Sequence, residues 1–106
     1  MSHEIFQNYI NGQWVGSSAA IENINPSDTS DIVGHYAKAS SEDCLAAIAA
    51  ANAAFADWSQ SGLEQRKQVL DFIGAELIAR SAEIGEILAR EEGKTRAEGV
   101  GEVYRS

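Results

Sequence analysis

The chain has 106 residues, a net charge of -8 and 44% hydrophobic residues. That length suits one domain, the apolar share permits a core and argues against disorder, and the acidic balance disfavours nucleic acid or an anionic membrane as a partner. The single cysteine, Cys44, excludes an intrachain disulfide and any multi-cysteine metal site.

In chain order, the segment 1–7 lacks a basic region followed by an apolar run, so no signal peptide is expected. No later run approaches the roughly 18 apolar residues of a membrane span, and the expected location is the cytoplasm. Asn8-Tyr9-Ile10 and Gln13-Trp14-Val15 are β-prone and flank Asn11-Gly12. That pair suits a type I′ hairpin turn, because both central residues need positive φ. Gly16-Ser17-Ser18 reads as a loop, and Ala20–Ile24 alternates like a half-buried strand. Asn25-Pro26 stops it, since proline lacks the amide donor and restricts its predecessor. Ser27–Asp31 is rich in turn formers, and Ile32–Ala37 is the next strand.

Ser40–Trp58 is predicted as an alanine-rich helix. Leu45, Ile48, Phe55 and Trp58 recur at helical steps, and Ser40 with Asp43 forms a capping-box pattern. Its thinness predicts a helix buried between other elements. Leu63–Arg80 follows, with Leu63, Arg66, Leu70, Ile73 and Leu77 on one stripe. Ser81 is expected to cap a short helix, Ala82–Glu92, with Ile84, Ile87 and Leu88 inward and Gly93 as its stop. Thr95 and Glu98 form a second capping box that opens a fourth helix through Val100, Val103 and Tyr104. The residues thus give an α+β class: a β-hairpin and short strands, then three to four helices. No internal repeat, linker or domain boundary is evident. Large apolar faces, with Val103 and Tyr104 partly uncovered, are expected of the chain by itself.

No complete catalytic constellation is visible. Cys44 lies in a first helical turn, where the helix dipole could lower a thiol pKa. No His or Asn stands at a partner's spacing, so it reads as a passive small residue, in keeping with the habit of buried free cysteines. Gly93-Lys94-Thr95 would need a glycine at position 88 to form a phosphate-binding loop, and that position is Leu88. Gly99-x-Gly101 lacks a third glycine and a preceding strand. His3 and His35 are too few ligands for a metal. Glu91 and Glu92 oppose the dipole at a helix end, which a bound cation or a basic partner would relieve.

The order of the pieces resembles the start of an aldehyde dehydrogenase. The residues that carry the likeness are Tyr9-Ile-Asn-Gly-Gln-Trp-Val15, Asn23-Ile-Asn-Pro26, Asp31-Ile-Val-Gly34, Ala53-Ala-Phe-Ala-Asp-Trp58, Arg66 with Leu70, and Leu88-Ala-Arg-Glu-Glu-Gly-Lys94 with Glu98 to Glu102. Each motif is short, but their order and spacing cover essentially the whole chain. The Asn-Pro-Ser-Asp wording with Asp31–Gly34 looks closest to the branch acting on α-ketoglutarate semialdehyde. The resemblance implies oxidation of an aldehyde to a carboxylic acid with NAD or NADP, through a cysteine thiohemiacetal. It places the nucleophile, the general base and the dinucleotide-binding residues downstream. The chain is then expected to be the N-terminal portion of the cofactor-binding region, continuing past Ser106 and inactive alone. Its partners would be the aldehyde, the rest of its own polypeptide and, when full-length, further copies in a homo-oligomer. The resemblance also implies a monovalent cation held by the backbone oxygen of Ile24 and by Glu91, where the family often has Asp, with a third ligand beyond Ser106. The alternative from another class is a free-standing acidic helical protein-interaction module.

Overall fold

The computed structural model describes residues 3–106; Met1 and Ser2, which open the segment read for a signal peptide, lie outside the described residues. The elements are β1 (Ile5–Phe6), β2 (Asn8–Ile10), β3 (Gln13–Val15), β4 (Ala20–Ile24), β5 (Ile32–Ala37), α1 (Ser41–Gln60), α2 (Leu63–Ala79), α3 (Ser81–Glu92) and α4 (Arg96–Arg105). This is the α+β arrangement expected from the residues. Two compact units are formed: one by the described residues up to Asn23 with Gly34–Ser61, the other by Ile24–Val33 with Gly62–Ser106.

In the first unit, β2 and β3 pair antiparallel, with Asn8 opposite Val15, Tyr9 opposite Trp14 and Ile10 opposite Gln13. The turn between them has φ of 50° at Asn11 and 76° at Gly12, the conformation that this pair was chosen for. A second sheet has the order β1-β5-β4, and β1 runs parallel to β5. β1 was not expected: two residues are too few to show a period. The Ser40 hydroxyl caps α1 by accepting from the Asp43 amide at 3.1 Å, while the Asp43 carboxylate accepts from the Ser40 amide at 2.9 Å. The cap was legible; the burial of α1 was not. No residue of α1 is buried, and Leu45, Ile48, Phe55 and Trp58 are all exposed. Full burial of such side chains would stabilise by about 1.5–3 kcal/mol each, and the described residues do not provide the cover. Cys44 is likewise exposed rather than buried.

The second unit is built on α3 and α4, with α2 against both. Its contact surface corrects the expected stripe. Ser81, Gly85 and Ala89, four residues apart, are the buried face of α3, whereas Ile87 is 41% exposed. The facing seam of α4 is Gly99 and Val103; Val103 is only 4% exposed, against expectation, while Tyr104 is uncovered as expected. The physical reason is close backbone approach. A Cβ on Gly85 would lie 2.6 Å from the backbone nitrogen of Val100, and one on Gly99 would lie 2.3 Å from the Gly85 carbonyl oxygen. Small residues therefore face inward because the partner is backbone, and the larger isoleucines are displaced to the flanks. Ser81 is the first residue of α3 rather than its cap; Arg80 takes the cap position without a side-chain bond to the helix backbone, and its guanidinium pairs with Glu83 in the first turn. Gly93 ends α3 with φ of 71°, and Thr95 with Glu98 completes the second capping box.

Gly85→Ala tests this packing. Alanine would favour an isolated helix by about 1 kcal/mol, but here its methyl meets rigid backbone, for which overpacking costs typically 1–3 kcal/mol. Denaturant unfolding of the variant should show a net loss of stability; a gain would mean that α3 and α4 are not in contact at this point.

Candidate functional site

The polar centre of the second unit is a tie between the loop after β4 and the end of α3. Asp31 and Arg90, 59 residues apart, form a two-pronged ion pair: Arg90 Nε donates to Asp31 Oδ2 at 2.9 Å and a terminal nitrogen donates to Oδ1 at 2.5 Å. The guanidinium fork matches a carboxylate's two oxygens, which makes such pairs the more strongly directional ones. Asn25 supports it. Its Nδ2 donates to Asp31 Oδ2 at 3.1 Å, and its Oδ1 accepts from the Ser27 amide at 2.9 Å. The loop closes through backbone bonds from Asn25 N to Asp31 O and from Asp31 N to Asp28 O. Ser27 Oγ then donates to the Gly93 carbonyl at 3.2 Å. Gly93 has no space for a side chain, because a Cβ there would lie 2.8 Å from both Pro26 Cγ and Ser27 Oγ.

Beside this tie lies a cleft of about 200 Å³, with Asn25, Ser27, Glu86, Arg90, Lys94 and Arg96 among its walls. Each cation in it is matched. Arg90 holds Asp31, Lys94 holds Glu102 and Glu92, and Arg96 lies 3.1 Å from Glu86. Glu102 first and Glu92 second raise the Lys94 pKa above the ordinary lysine value. The Thr95 backbone amide, followed by its hydroxyl, lowers that of Glu98. The Arg90–Asp31 pair and the Ser27–Gly93 bond lock loop to helix along the wall of the cleft.

Asp31 titrates accordingly. The Arg90 hydrogen bonds, then that of Asn25, lower its pKa from the ordinary 3.8 to about 2. A depressed carboxylate contributes stability above its unfolded pKa and loses it as pH falls through the folded one. The Asp31 contribution is therefore complete at neutral pH and disappears between about 3.8 and about 2. Asp31→Asn should lower the melting temperature at pH 7, with the gap to the unsubstituted chain closing as pH falls through that interval. A gap of constant size would show that the charge is not what holds the loop.

The residues proposed from sequence for a cation fall on either side of this tie. Ile24 ends β4 immediately before Asn25, and Glu91 follows Arg90 in the last turn of α3. Both are exposed, and it is Glu92 that engages Lys94. Among the described residues no group of three or more His, Cys, Asp or Glu side chains is arranged to hold a metal ion. Sequence reasoning missed Asp31, Arg90 and Lys94 as a polar centre. Asp31 and Arg90 both lay inside quoted motifs, but nothing in a local pattern pairs positions 59 residues apart.

Residues 14–106 match the aldehyde dehydrogenase family. The α-ketoglutarate semialdehyde dehydrogenase of Haloferax volcanii is 39% identical over 102 residues, which are 94% of this chain and 21% of that protein. Among solved structures, an NAD-dependent aldehyde dehydrogenase from Sinorhizobium meliloti superposes with a TM-score of 0.88 at 26% identity, over 97% of this chain and 21% of the other. A betaine aldehyde dehydrogenase from Staphylococcus aureus, solved in complex with NAD+, superposes with a TM-score of 0.85 at 26% identity, over 92% and 21%. The chain thus spans about a fifth of the length of these relatives. With the family matched over most of its residues and the fold shared with its solved members, the chain belongs to the aldehyde dehydrogenase family.

Proposed function

We propose that the chain is the N-terminal portion of the cofactor-binding region of an NAD(P)-dependent aldehyde dehydrogenase, and that by itself it is inactive. The observation that carries this reading is the match of nearly the whole chain to about a fifth of each relative. The whole enzyme oxidises an aldehyde to a carboxylic acid through a thiohemiacetal on a cysteine other than Cys44. Its location is cytoplasmic, it assembles with further copies of itself, and α-ketoglutarate semialdehyde is the first aldehyde to try, given the similarity to the Haloferax protein.

NAD or NADP supplies the hydride acceptor in such an enzyme, and the NAD+ complex of the similar betaine aldehyde dehydrogenase supports that choice. The two glycines of the candidate Gly-Lys-Thr and Gly-x-Gly patterns, Gly93 and Gly99, do not fit the dinucleotide. Gly93 is a helix stop pressed on Pro26 and Ser27, and Gly99 is packed on the Gly85 carbonyl, so neither can cradle a pyrophosphate. No step through the cofactor is therefore assigned to these residues. What they do is scaffold: the Asp31–Arg90 tie and the α3–α4 seam fix one unit's surface.

In the same reading the backbone oxygen of Ile24 and the Glu91 carboxylate hold a monovalent cation. Oxygen donors suit a hard cation, and the negative end of α3 favours positive charge. The exposure of Glu91, while Glu92 takes Lys94, supports a carboxylate left available for an ion.

With NAD or NADP and α-ketoglutarate semialdehyde, the 106-residue chain should give no oxidation above background. Turnover that survives Cys44→Ala would contradict the placement of the chemistry outside this chain. In an enzyme containing the chain, Cys44→Ala should leave the acylation burst intact and change stability by no more than about 0.5 kcal/mol, as for an ordinary exposed position. Glu91→Gln should reduce the rise in melting temperature that potassium or sodium gives, since the variant keeps the shape and loses the charge. Equal shifts for both proteins would remove Glu91 from the ligand set.

A further inference from the structure

The hairpin turn carries a chemistry that is independent of aldehyde oxidation. We propose that Asn11 is a site of spontaneous backbone modification, where conversion to isoaspartate releases the pairing of β2 with β3. Asn11 and Gly12 are both exposed, and nothing beyond its two chain neighbours lies within 4 Å of the place a Gly12 Cβ would occupy. The Gly12 nitrogen is thus the least hindered nucleophile that can follow an asparagine. The other asparagines differ. The Asn8 amide donates to the Ala37 carbonyl at 3.3 Å and is followed by Tyr9; Asn23 is followed by β-branched Ile24. Asn25 precedes Pro26, which has no N–H to react, and Asn52 lies inside α1 before Ala53.

The step needs only water. The Gly12 backbone nitrogen attacks Asn11 Cγ, the Cγ–Nδ2 bond breaks, and ammonia leaves with the amide proton of Gly12. A succinimide ring remains. Water then opens it at either carbonyl. Attack at Cγ breaks its bond to nitrogen and gives aspartate in an unchanged backbone. Attack at the main-chain carbonyl leaves Gly12 linked through Cγ, which is isoaspartate, with one extra methylene in the chain. Aspartate suits a type I′ turn as well as asparagine does. Isoaspartate does not, because a two-residue loop fixes the register of its strands. The extra atom disrupts the pairing of Ile10 with Gln13 and the Tyr9–Trp14 ring contact, whose centroids are 4.8 Å apart.

The test incubates the chain, in a state showing the Tyr9–Trp14 contact by NMR, in mildly alkaline buffer. Peptide mapping with isoaspartyl-specific methyl labelling follows the products. Isoaspartate should accumulate at position 11 on the order of tenfold faster than at Asn8, Asn23 or Asn52, and the Tyr9–Trp14 contact should fade in step. Asn11→Gly, which suits the same turn and lacks the side-chain amide, should keep the contact and form no product there. Similar rates at all these asparagines would overturn the proposal. So would isoaspartate at position 11 with the ring contact intact.

Discussion

The second unit depends on one polar contact, the two-pronged pairing of Asp31 with Arg90. Asp31 stands in a loop held by its own backbone bonds, and Arg90 stands near the end of a helix whose other face is packed on α4. Neither element reaches the other through apolar burial alone, because Pro26, Ser27 and Gly93 meet with little side-chain surface. A pair about one third exposed contributes modestly by itself. What raises its importance is geometry: the loop is also closed by its own backbone bonds, so little chain entropy is lost for the pair alone.

Around that contact the helices meet by exclusion of side chains rather than by interlocking large ones. Gly85 and Gly99 bring backbone against backbone, with Ala89 and Val103 completing the seam. This gives precise placement with little apolar area removed from water. On α1 and α2, large apolar side chains remain on the outside. Leu63 is 84% exposed and Phe55 is 68% exposed.

The cleft beside the tie illustrates how charge can be abundant without being reactive. Arg90, Lys94 and Arg96 converge there, yet each faces a carboxylate. An acidic chain can match every cation in this way, and the matched ions hold loops and helix ends in place.

Local chemistry determined most of the elements from sequence alone. The Asn11-Gly12 turn, the Ser40–Asp43 and Thr95–Glu98 boxes and the Gly93 stop are each set by residues within four positions of one another, and each appears in the structure. The order of motifs likewise carried the family. Tertiary structure decided the rest. Whether α1 is covered depends on what packs against it, and periodicity identifies an apolar face without identifying its neighbour. The inward face of α3 went to Ser81, Gly85 and Ala89 because backbone lies opposite, a fact held by α4 and not by α3. The pairing of Asp31 with Arg90 joins residues 59 positions apart. Only the folded chain brings them within reach, since a hydrogen bond acts over ångströms and the sequence records separation along the chain.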